Sequence, residues 1–244
     1  VGGIDYNHFK YDNVRSMRQP GSTFKAFVYT AAMDNGYAPC DSLPDIPVTV
    51  NYVEKGVAKS WAPHNSDFKN AGHNVSLKYA FAHSLNTISV QLTQRLGTEK
   101  IINYAHRMGI KSPLDTVPSI FVTRIEDSEG NVLKEFKVEK VKVLSDETVF
   151  LMQQQLLGSL SEPYGTTQAL FSYDLFKYKT DFGGKTGTSS NHSDGWFIGV
   201  TPKLIGGSWV GAEERCVHFR SSALGEGCKT ALPIFGLFME KVLK

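Results

Sequence analysis

The stretch Arg18-Gln-Pro-Gly-Ser-Thr-Phe-Lys25, "RQPGSTFK", places Ser22 directly after Pro-Gly and Lys25 three residues later. Apolar residues then recur at the spacing of one helix face, at Phe24, Phe27, Val28, Ala31 and Ala32. This pattern predicts a buried helix that Ser22 opens and that ends at Asn35-Gly36. Lys25, one turn on, would project on the same side as Ser22.

Two interpretations of this pair are open on the octapeptide alone. A serine hydroxyl is a poor nucleophile until a neighbouring base takes its proton, and a lysine in a desolvated pocket can stay neutral and act as that base. Ser22 and Lys25 would then be a nucleophile and its general base. The alternative is an N-cap serine followed by a solvent-exposed lysine.

A second Ser-x-x-Lys, at Ser66 and Lys69, shows that the spacing by itself decides nothing. It lies in the polar stretch "PHNSDFKNAG", and no apolar helical pattern follows it. We therefore expect Ser66 and Lys69 to be the accidental pair.

The composition indicates a globular protein with one large domain or two lobes that share a site. The chain has 244 residues, of which 41% are hydrophobic and 20% are charged. A net charge of +2, without a cluster of Lys and Arg, gives no support for nucleic-acid binding. No apolar run approaches the roughly 20 residues of a membrane span, so we expect any membrane anchor to lie outside this chain.

The three cysteines, Cys40, Cys216 and Cys228, have no metal-ligand spacing. Cys216 and Cys228 could close a short loop in an oxidising compartment. Free, partly buried thiols are an equally good interpretation, so the sequence leaves a disulfide undecided.

Helical periodicity dominates the first half of the chain. It predicts helices at residues 77–83, at 87–96 and from 98 to about 108, with Gly97 as a stop signal. The Ser84-Leu85-Asn86 tripeptide lies between the first two of these helices. This Ser-x-Asn is therefore predicted at a helix junction, although a plain capping or turn role is the simpler interpretation of the tripeptide alone.

The second half changes character at Phe121. Residues 121–136 predict a hairpin, and a helix follows from Ser145 to about Leu160. Three antiparallel strands and a closing amphipathic helix are predicted at 183–189, 195–201, 204–212 and 231–243. A mainly helical lobe and a sheet lobe covered by helices would meet in a cleft, which is a common location for a site.

The tetrapeptide Lys185-Thr186-Gly187-Thr188 is suited to one strand that faces a ligand. Lys185 supplies a cation, and the two threonine hydroxyls, at i and i+2, share a face and can bind a carboxylate. Gly187 removes a side chain where the backbone of a ligand must approach. An edge strand with a solvated lysine is the alternative.

The order of the three motifs carries more weight than any one of them. A helix-opening Ser-x-x-Lys, a junction Ser-x-Asn and a strand Lys-Thr-Gly-Thr form the motif set of serine β-lactamases and penicillin-binding proteins. Together with "WAPHN" at 61–65, "GTTQAL" at 165–170 and the stretch from Gly183 to Gly211, the chain resembles the transpeptidase domain of class A, bifunctional penicillin-binding proteins. The resemblance extends over nearly the whole chain.

The resemblance implies an α+β fold of the β-lactamase and transpeptidase type, in which an antiparallel sheet is flanked by helices beside a mainly helical lobe. It implies that Ser22 is the nucleophile, Lys25 the base and Ser84 the proton relay, and that Asn86 binds the substrate amide and helps to hold Lys25. Lys185, Thr186, Gly187 and Thr188 would form the substrate strand, and the backbone N–H groups of Ser22 and Thr188 would form the oxyanion hole. No metal or organic cofactor is expected.

The implied substrates are peptidoglycan stem peptides that end in D-Ala-D-Ala, and β-lactam antibiotics would acylate the same serine. A full-length member of the family would carry a glycosyltransferase domain and a membrane anchor before Val1, and would act in the periplasm or on the outer face of the inner membrane. The helical lobe is expected at about 22–118 and the sheet lobe at 1–20 and 121–244.

Two departures from the family pattern are visible in the sequence. Ala26 follows the motif lysine where the family usually has proline, which should affect only the stiffness of the helix. The family also has a helical segment where "LDTVPSI" here runs directly into "FVTRIED". Either the chain lacks that segment or residues are missing between Ile120 and Phe121.

Three alternatives of related chemistry stay open. A serine β-lactamase or a D,D-carboxypeptidase would use water in place of the acceptor amine, and a β-lactam sensor domain would be acylated once and signal. Ser84-Leu85-Asn86 argues mildly against a class A β-lactamase, whose second motif has Asp in the middle. The interval between Asn86 and Lys185 also lacks the Glu-x-x-Leu-Asn pattern that carries the deacylating glutamate of those enzymes.

Overall fold

The computed structural model describes residues 17–54, 56–67, 69–110, 124–126, 132–135 and 142–243, with the backbone alone at 124–126, 132–135 and 178. The first sixteen residues of the expected sheet lobe lie outside this range. So does the junction between Ile120 and Phe121, and the expectation of a missing segment there stays a prediction.

Four helices occupy the first half of the chain at the expected places. They are α1 (Lys25–Asp34), α2 (Leu77–Ala82), α3 (Asn86–Leu96) and α4 (Thr98–Arg107). The Ser76 hydroxyl caps α2 by accepting the backbone N–H of Tyr79 at 3.1 Å. Gly97, with φ +87°, separates α3 from α4. The Ser-x-Asn motif therefore lies at the junction of α2 and α3, as predicted.

Two strand pairs interrupt these helices where the sequence patterns predict none. The strands β1 (Ser42–Pro44), β2 (Val50–Glu54), β3 (Val57–Trp61) and β4 (Asn74–Ser76) form antiparallel pairs, β1 with β4 and β2 with β3. The first pair is too short to show a period. The second pair is exposed on both faces, so it lacks the apolar and polar alternation that identifies a half-buried strand.

The second half confirms the predicted hairpin and helix within the described residues. The strands β5 (Arg124–Glu126) and β6 (Val132–Glu135) pair antiparallel. Helix α5 (Asp146–Ser161) follows, and the Ser145 hydroxyl caps it by accepting the N–H of Thr148 at 3.1 Å.

The described sheet has three antiparallel strands in the order β7 (Gly183–Thr188), β8 (Asp194–Val200) and β9 (Ile205–Gly211), so β7 is an edge strand of this sheet. The short helix α6 (Ser222–Gly225) and the long helix α7 (Ala231–Val242) complete the chain. Helix α7 packs closely on the sheet because glycines face it: a Cβ at Gly199 would lie 2.2 Å from the ring of Phe235. This architecture confirms the expected α+β class.

Buried side chains form two hydrophobic cores. The first includes residues of α1 to α4: Val28, Tyr29, Leu77, Phe81, Ile88, Leu92 and Tyr104. The second includes residues of the sheet and α7: Phe182, Phe197, Leu232, Phe235 and Met239. Helix α5 contributes to both, through Met152 in the first core and Leu160 in the second. The boundaries expected for the two lobes stay a prediction. In the described part of the chain no helix is long and apolar enough to cross a bilayer.

Candidate active site

Ser22 lies in a 3₁₀ turn, Gly21–Phe24, that leads directly into α1. Its backbone carbonyl accepts the N–H of Lys25, and its side chain is half-buried. Phe24 occupies the N-cap position of α1, and no side chain caps that helix. The alternative interpretation of Ser22 as an N-cap is therefore wrong, and Lys25 rather than Ser22 is the first α-helical residue.

Gly21 brings the turn that carries Ser22 against the end of β7. Its φ of +54° is in the left-handed region that favours glycine. A Cβ at this position would lie 2.5 Å from the carbonyl oxygen and 2.8 Å from the nitrogen of Thr188. The backbone just before Ser22 is thus in direct contact with that of Thr188, the other residue expected to contribute an oxyanion-hole N–H.

The residues before this turn are bound to the neighbouring strands. The Trp196 indole N–H donates to the Gln19 carbonyl at 3.0 Å, and the Arg215 guanidinium donates to Gln19 Oε1 at 2.8 Å. The Arg18 guanidinium lies 5.0 Å from the centre of the Trp209 ring. These contacts hold the turn that carries Ser22 on the sheet.

Lys25 is buried in a polar pocket and is 7% exposed, which excludes the solvent-exposed alternative. Its amine donates to the Ser84 carbonyl oxygen at 2.5 Å, to Asn86 Oδ1 at 2.7 Å and to Ser84 Oγ at 3.1 Å. A neutral amine has two N–H bonds and one lone pair. When the two short contacts to carbonyl oxygens take both N–H bonds, the lone pair of Lys25 is left to accept a hydrogen bond from a hydroxyl group.

Ser84 and Lys185 extend this line of polar contacts to strand β7. Ser84 has a φ of +57°, an uncommon backbone conformation for a residue other than glycine, of a kind that clusters at functional sites. The Lys185 amine donates to Ser84 Oγ at 2.9 Å and to the Thr186 carbonyl at 3.0 Å. Lys185 is 2% exposed, so its interpretation as a solvated lysine on an edge strand is wrong.

Burial shifts both lysines toward the neutral amine. The pKa of Lys25 is held well below its usual range, first by desolvation and then by the nearby charge of Lys185. Desolvation lowers the pKa of Lys185 to about 7. A lysine that deprotonates readily is what a general base requires.

The two threonines of the Lys-Thr-Gly-Thr strand have partners within the protein. The Thr186 hydroxyl donates to Thr166 Oγ1 at 3.1 Å, and Thr188 Oγ1 accepts the N–H of Gly227 at 3.1 Å. A Cβ at Gly187 would lie 2.6 Å from the Pro20 carbonyl oxygen. Gly187 is therefore needed for the approach of the protein's own backbone. Its expected second role, to let the backbone of a ligand approach, stays a prediction.

Thr166 is a contact residue that the sequence reasoning did not identify. Its hydroxyl and its backbone N–H both donate to the Ala82 carbonyl, at 3.1 and 3.0 Å. It thereby links the end of α2 to Thr186 on β7. The phrase "GTTQAL" contains this residue, but no local pattern in the sequence indicates that it meets a strand twenty residues further on.

The second Ser-x-x-Lys does not form a comparable site. Ser66 and Lys69 are exposed and lie outside any helix, as expected from the sequence. Cys40, Cys216 and Cys228 are free thiols, so the structure has no disulfide between Cys216 and Cys228.

Comparison with known proteins finds similarity to penicillin-binding proteins. The model of the penicillin-binding protein transpeptidase domain matches residues 4–117, which include the first two motifs. Penicillin-binding protein 1A of Aquifex aeolicus is 28% identical over 276 residues, which cover 100% of this chain and 36% of the relative. Penicillin-binding protein 1A of Neisseria meningitidis is 27% identical over 277 residues, with 100% of this chain and 34% of the relative covered.

Solved structures show the same fold. Penicillin-binding protein 1A from Haemophilus influenzae superimposes with a TM-score of 0.76 at 22% identity, over 100% of this chain and 45% of that one. Penicillin-binding protein A from Mycobacterium tuberculosis, in its imipenem acyl-enzyme complex, gives 0.64 at 18% identity, over 95% of this chain and 62% of that one.

The chain has the fold of the penicillin-binding proteins on which it superimposes. The family model and the relatives show that the chain is similar to the transpeptidase domains of penicillin-binding proteins. The chain spans about a third of the length of this Aquifex relative.

Proposed function

We propose that this chain is a D,D-transpeptidase domain that cross-links peptidoglycan stem peptides through an acyl-enzyme on Ser22, and that β-lactams acylate the same serine. The observation that carries the proposal is the buried line of Lys25, Ser84 and Lys185 between the turn that carries Ser22 and strand β7. The acyl-enzyme structures of Mycobacterium tuberculosis penicillin-binding protein A with imipenem and with penicillin G support it, because they have the same fold.

In the first step the Ser22 oxygen bonds to the carbonyl carbon between the last two D-alanines of a stem peptide. Lys25 takes the hydroxyl proton, which is why its depressed pKa matters. The carbonyl oxygen becomes an oxyanion that accepts hydrogen bonds from the N–H groups of Ser22 and Thr188. A donor of this kind contributes roughly 3 kcal/mol of transition-state stabilisation.

In the second step the C–N bond breaks and the terminal D-alanine leaves as an amine. That amine needs a proton, which Ser84 donates while it regains one from Lys25. The distance of 3.1 Å between Lys25 Nζ and Ser84 Oγ suits this relay. Lys185 donates to Ser84 Oγ at 2.9 Å from the other side, and this hydrogen bond can hold the hydroxyl in place during the transfer.

Strand β7 is the proposed binding strand for the peptide. It is an edge strand of the described sheet, so an extended substrate can add to it by backbone hydrogen bonds. Thr186 and Thr188 would bind the terminal carboxylate with their hydroxyl groups, and Asn86 would bind the substrate amide. Because Thr186 donates to Thr166 in the free protein, its hydroxyl must turn toward the carboxylate when substrate binds.

The acyl-enzyme is then resolved by an amine of a neighbouring stem peptide. The amine forms the new amide bond, and the Ser22 oxygen leaves and regains its proton through Lys25. The proton and the leaving group are both accounted for by groups of the chain and the two peptides, so the steps need no metal or organic cofactor.

We further propose that the full-length protein carries a glycosyltransferase domain and a membrane anchor, and works on the periplasmic, extracytoplasmic face of the inner membrane. The names of the relatives from Aquifex aeolicus, Rickettsia felis and Vibrio cholerae support this, since each is a penicillin-binding protein 1A more than twice as long as this chain.

The proposal is tested with the purified protein, a labelled penicillin and a synthetic pentapeptide that ends in D-Ala-D-Ala. We expect the intact mass to rise by one penicillin, and the pentapeptide with an added amine acceptor to release one D-alanine for each amide formed. Absence of any penicillin adduct would refute the proposal. Release of D-alanine without amide formation would indicate a carboxypeptidase instead.

A further inference from the structure

A buried hydrogen-bond network lies behind the proposed site, around Asp45 and Asn65, which are 2% and 3% exposed. Asn65 Oδ1 accepts the backbone N–H of Asn86 at 2.8 Å and that of Thr87 at 3.3 Å. Asn65 Nδ2 donates to Asp45 Oδ1 at 3.1 Å and to the Lys69 carbonyl at 2.9 Å. The amide thus accepts on one side and donates on the other, and the flipped orientation would lose all four bonds.

These bonds replace the cap that α3 lacks. The N-cap position of α3 is Leu85, whose side chain cannot cap a helix, and the first N–H groups of a helix need acceptors. Asn65 provides that acceptor from a different segment of the chain. The carbonyl of its neighbour His64 accepts Asn86 Nδ2 at 2.6 Å, which leaves Asn86 Oδ1 to accept from Lys25.

Asp45 hydrogen-bonds both Asn65 and Thr87 and so helps to hold this arrangement in place. Burial raises the pKa of its carboxyl, but hydrogen bonds from Thr87, the Ala71 backbone, Asn70 and Asn65 outweigh burial, and the net pKa is below the ordinary value. The shortest of these bonds, at 2.6 Å, comes from the Thr87 hydroxyl on the first turn of α3. A carboxylate near the N-terminus of a helix is also favoured by the helix dipole.

We propose that Asn65, held by Asp45, is a positioning residue for acylation: it fixes the backbone of Asn86, and so sets where Asn86 Oδ1 holds the Lys25 amine. Asn65 touches neither Ser22 nor Lys25 by any hydrogen bond of the described chain, so its effect passes through Asn86. The inference rests on the proposed function, because it concerns the same acylation step.

The test compares Asn65→Ala with Asn70→Ala in the whole chain, using penicillin G. Asn70 Nδ2 donates to the same Asp45 oxygen at 3.0 Å but makes no bond to α3, so it is a matched control. We expect Asn65→Ala to lower the acylation rate constant about 10²-fold, the effect of a small misplacement of a reacting group. The dissociation constant of the non-covalent complex should stay within about threefold, because penicillin would bind to β7. Asn70→Ala should change neither constant by more than about threefold.

An acylation constant in Asn65→Ala within threefold of the Asn70→Ala value would overturn the inference while leaving the proposed function intact. A wild-type chain that penicillin does not acylate would instead refute the proposed function itself. If Asn65→Ala does not fold, Asn65→Asp takes its place. It loses the donor to Asp45 and to the Lys69 carbonyl, and repulsion from Asp45 should move its carboxylate away from the Asn86 N–H. We expect its acylation constant at pH 8 to fall at least tenfold, and a value within threefold of wild type would overturn the inference.

Discussion

Lys25 and Lys185, which are 160 positions apart in the sequence, lie within hydrogen-bond distance of the same hydroxyl oxygen, that of Ser84, at 3.1 and 2.9 Å. Both amines are buried, and each favours the neutral form as a result. Two ammonium groups around one buried oxygen would repel each other, and the charge of Lys185 does lower the pKa of Lys25. The proposed relay therefore contains two amines whose pKa values both lie below the ordinary lysine value.

The lowered pKa of Lys185 leads to a prediction on the stability of the fold. The pKa of Lys185 in the folded protein, about 7, is below the ordinary value near 10.5, so the unfolded chain binds more protons between these two pH values. The free energy of unfolding should therefore rise from pH 7 to 8.5, by at most about 1.4 kcal/mol per pH unit for this group. Urea denaturation across that range measures the slope, and Lys185→Met should reduce it. Equal slopes in the two proteins would contradict the prediction.

Cys228 sets the upper limit of the pH range over which this stability measurement should be made. Burial, with Glu226 nearby, raises the pKa of the Cys228 thiol to about 11. Above pH 9, near the ordinary pKa of a thiol, the folded protein therefore keeps a proton that the unfolded chain loses. Its effect on stability is opposite in sign to that of Lys185. Measurements below pH 8.5 keep the two contributions apart.

A second prediction concerns the position of the adduct. Labelled penicillin should attach to Ser22 in one-to-one stoichiometry, because Ser22 precedes a buried helix and Ser66 does not. Ser22→Ala should abolish labelling and Ser66→Ala should leave it unchanged, as measured by intact mass and peptide mapping. A penicillin adduct mapped to Ser66 would show that the assignment is wrong.

The third prediction tests the role of Lys25. Lys25→Ala should slow acylation by about 10² to 10⁴, the usual contribution of a general base, while the protein stays folded. Lys69→Ala, in the exposed pair Ser66 and Lys69, is the matched control and should be acylated at the wild-type rate. The rate is followed with a chromogenic or fluorescent β-lactam, and folding by circular dichroism. Normal acylation by a folded Lys25→Ala protein would exclude Lys25 as the base.

The fourth prediction uses Gly21, where a methyl group would meet the backbone of Thr188 at 2.5 Å. Gly21→Ala should separate the turn from β7 and lower the acylation rate about 10²-fold, because the oxyanion donors move apart. Gly36→Ala is the control: Gly36 also has positive φ, at +92°, but its added Cβ would meet no atom within 4 Å. It should cost about 1–2 kcal/mol of stability and leave acylation intact. Equal acylation rates in the two variants would argue against the contact.

The fifth prediction separates a transpeptidase from a hydrolase. No acidic residue between Asn86 and Lys185 has the Glu-x-x-Leu-Asn pattern, so water would lack a positioned base. We expect the penicilloyl adduct on Ser22 to persist far longer than the turnover time of a β-lactamase after excess drug is removed. Mass spectrometry over time follows its loss, and sustained hydrolysis of penicillin would favour the β-lactamase alternative.

Regular elements with strong local patterns could be predicted from the sequence, and contacts between distant segments could not. Helices α1, α3 and α5 and strands β7 to β9 lie within a few residues of their predicted positions, because each has its own periodicity and stop signals. The β1–β4 pair was missed because its strands are three residues long and meet across thirty residues of chain. The contact of Gly187 with the Pro20 backbone could not be predicted for the same reason, because the two residues are far apart in the sequence.

In the candidate site, too, the residues could be predicted from local motifs, whereas their contacts could not. The motifs identify Ser22, Lys25, Ser84 and Lys185 as a group, but not that Ser84 lies between the two amines. Nor does the sequence indicate that Asn65 caps α3, because a side chain that caps a helix from another segment leaves no local pattern.

Helix α5 packs into both hydrophobic cores, and this has a consequence for how the chain unfolds. Met152 lies in one core and Leu160 in the other, and a Cβ at Gly183 on β7 would lie 2.7 Å from the Leu156 backbone. Neither half can lose its packing without exposing part of this helix, so a single cooperative transition is expected. Acylation of Ser22 should then raise the melting temperature of the whole chain, as measured by calorimetry, and the protein should show one thermal peak both before and after it reacts with penicillin.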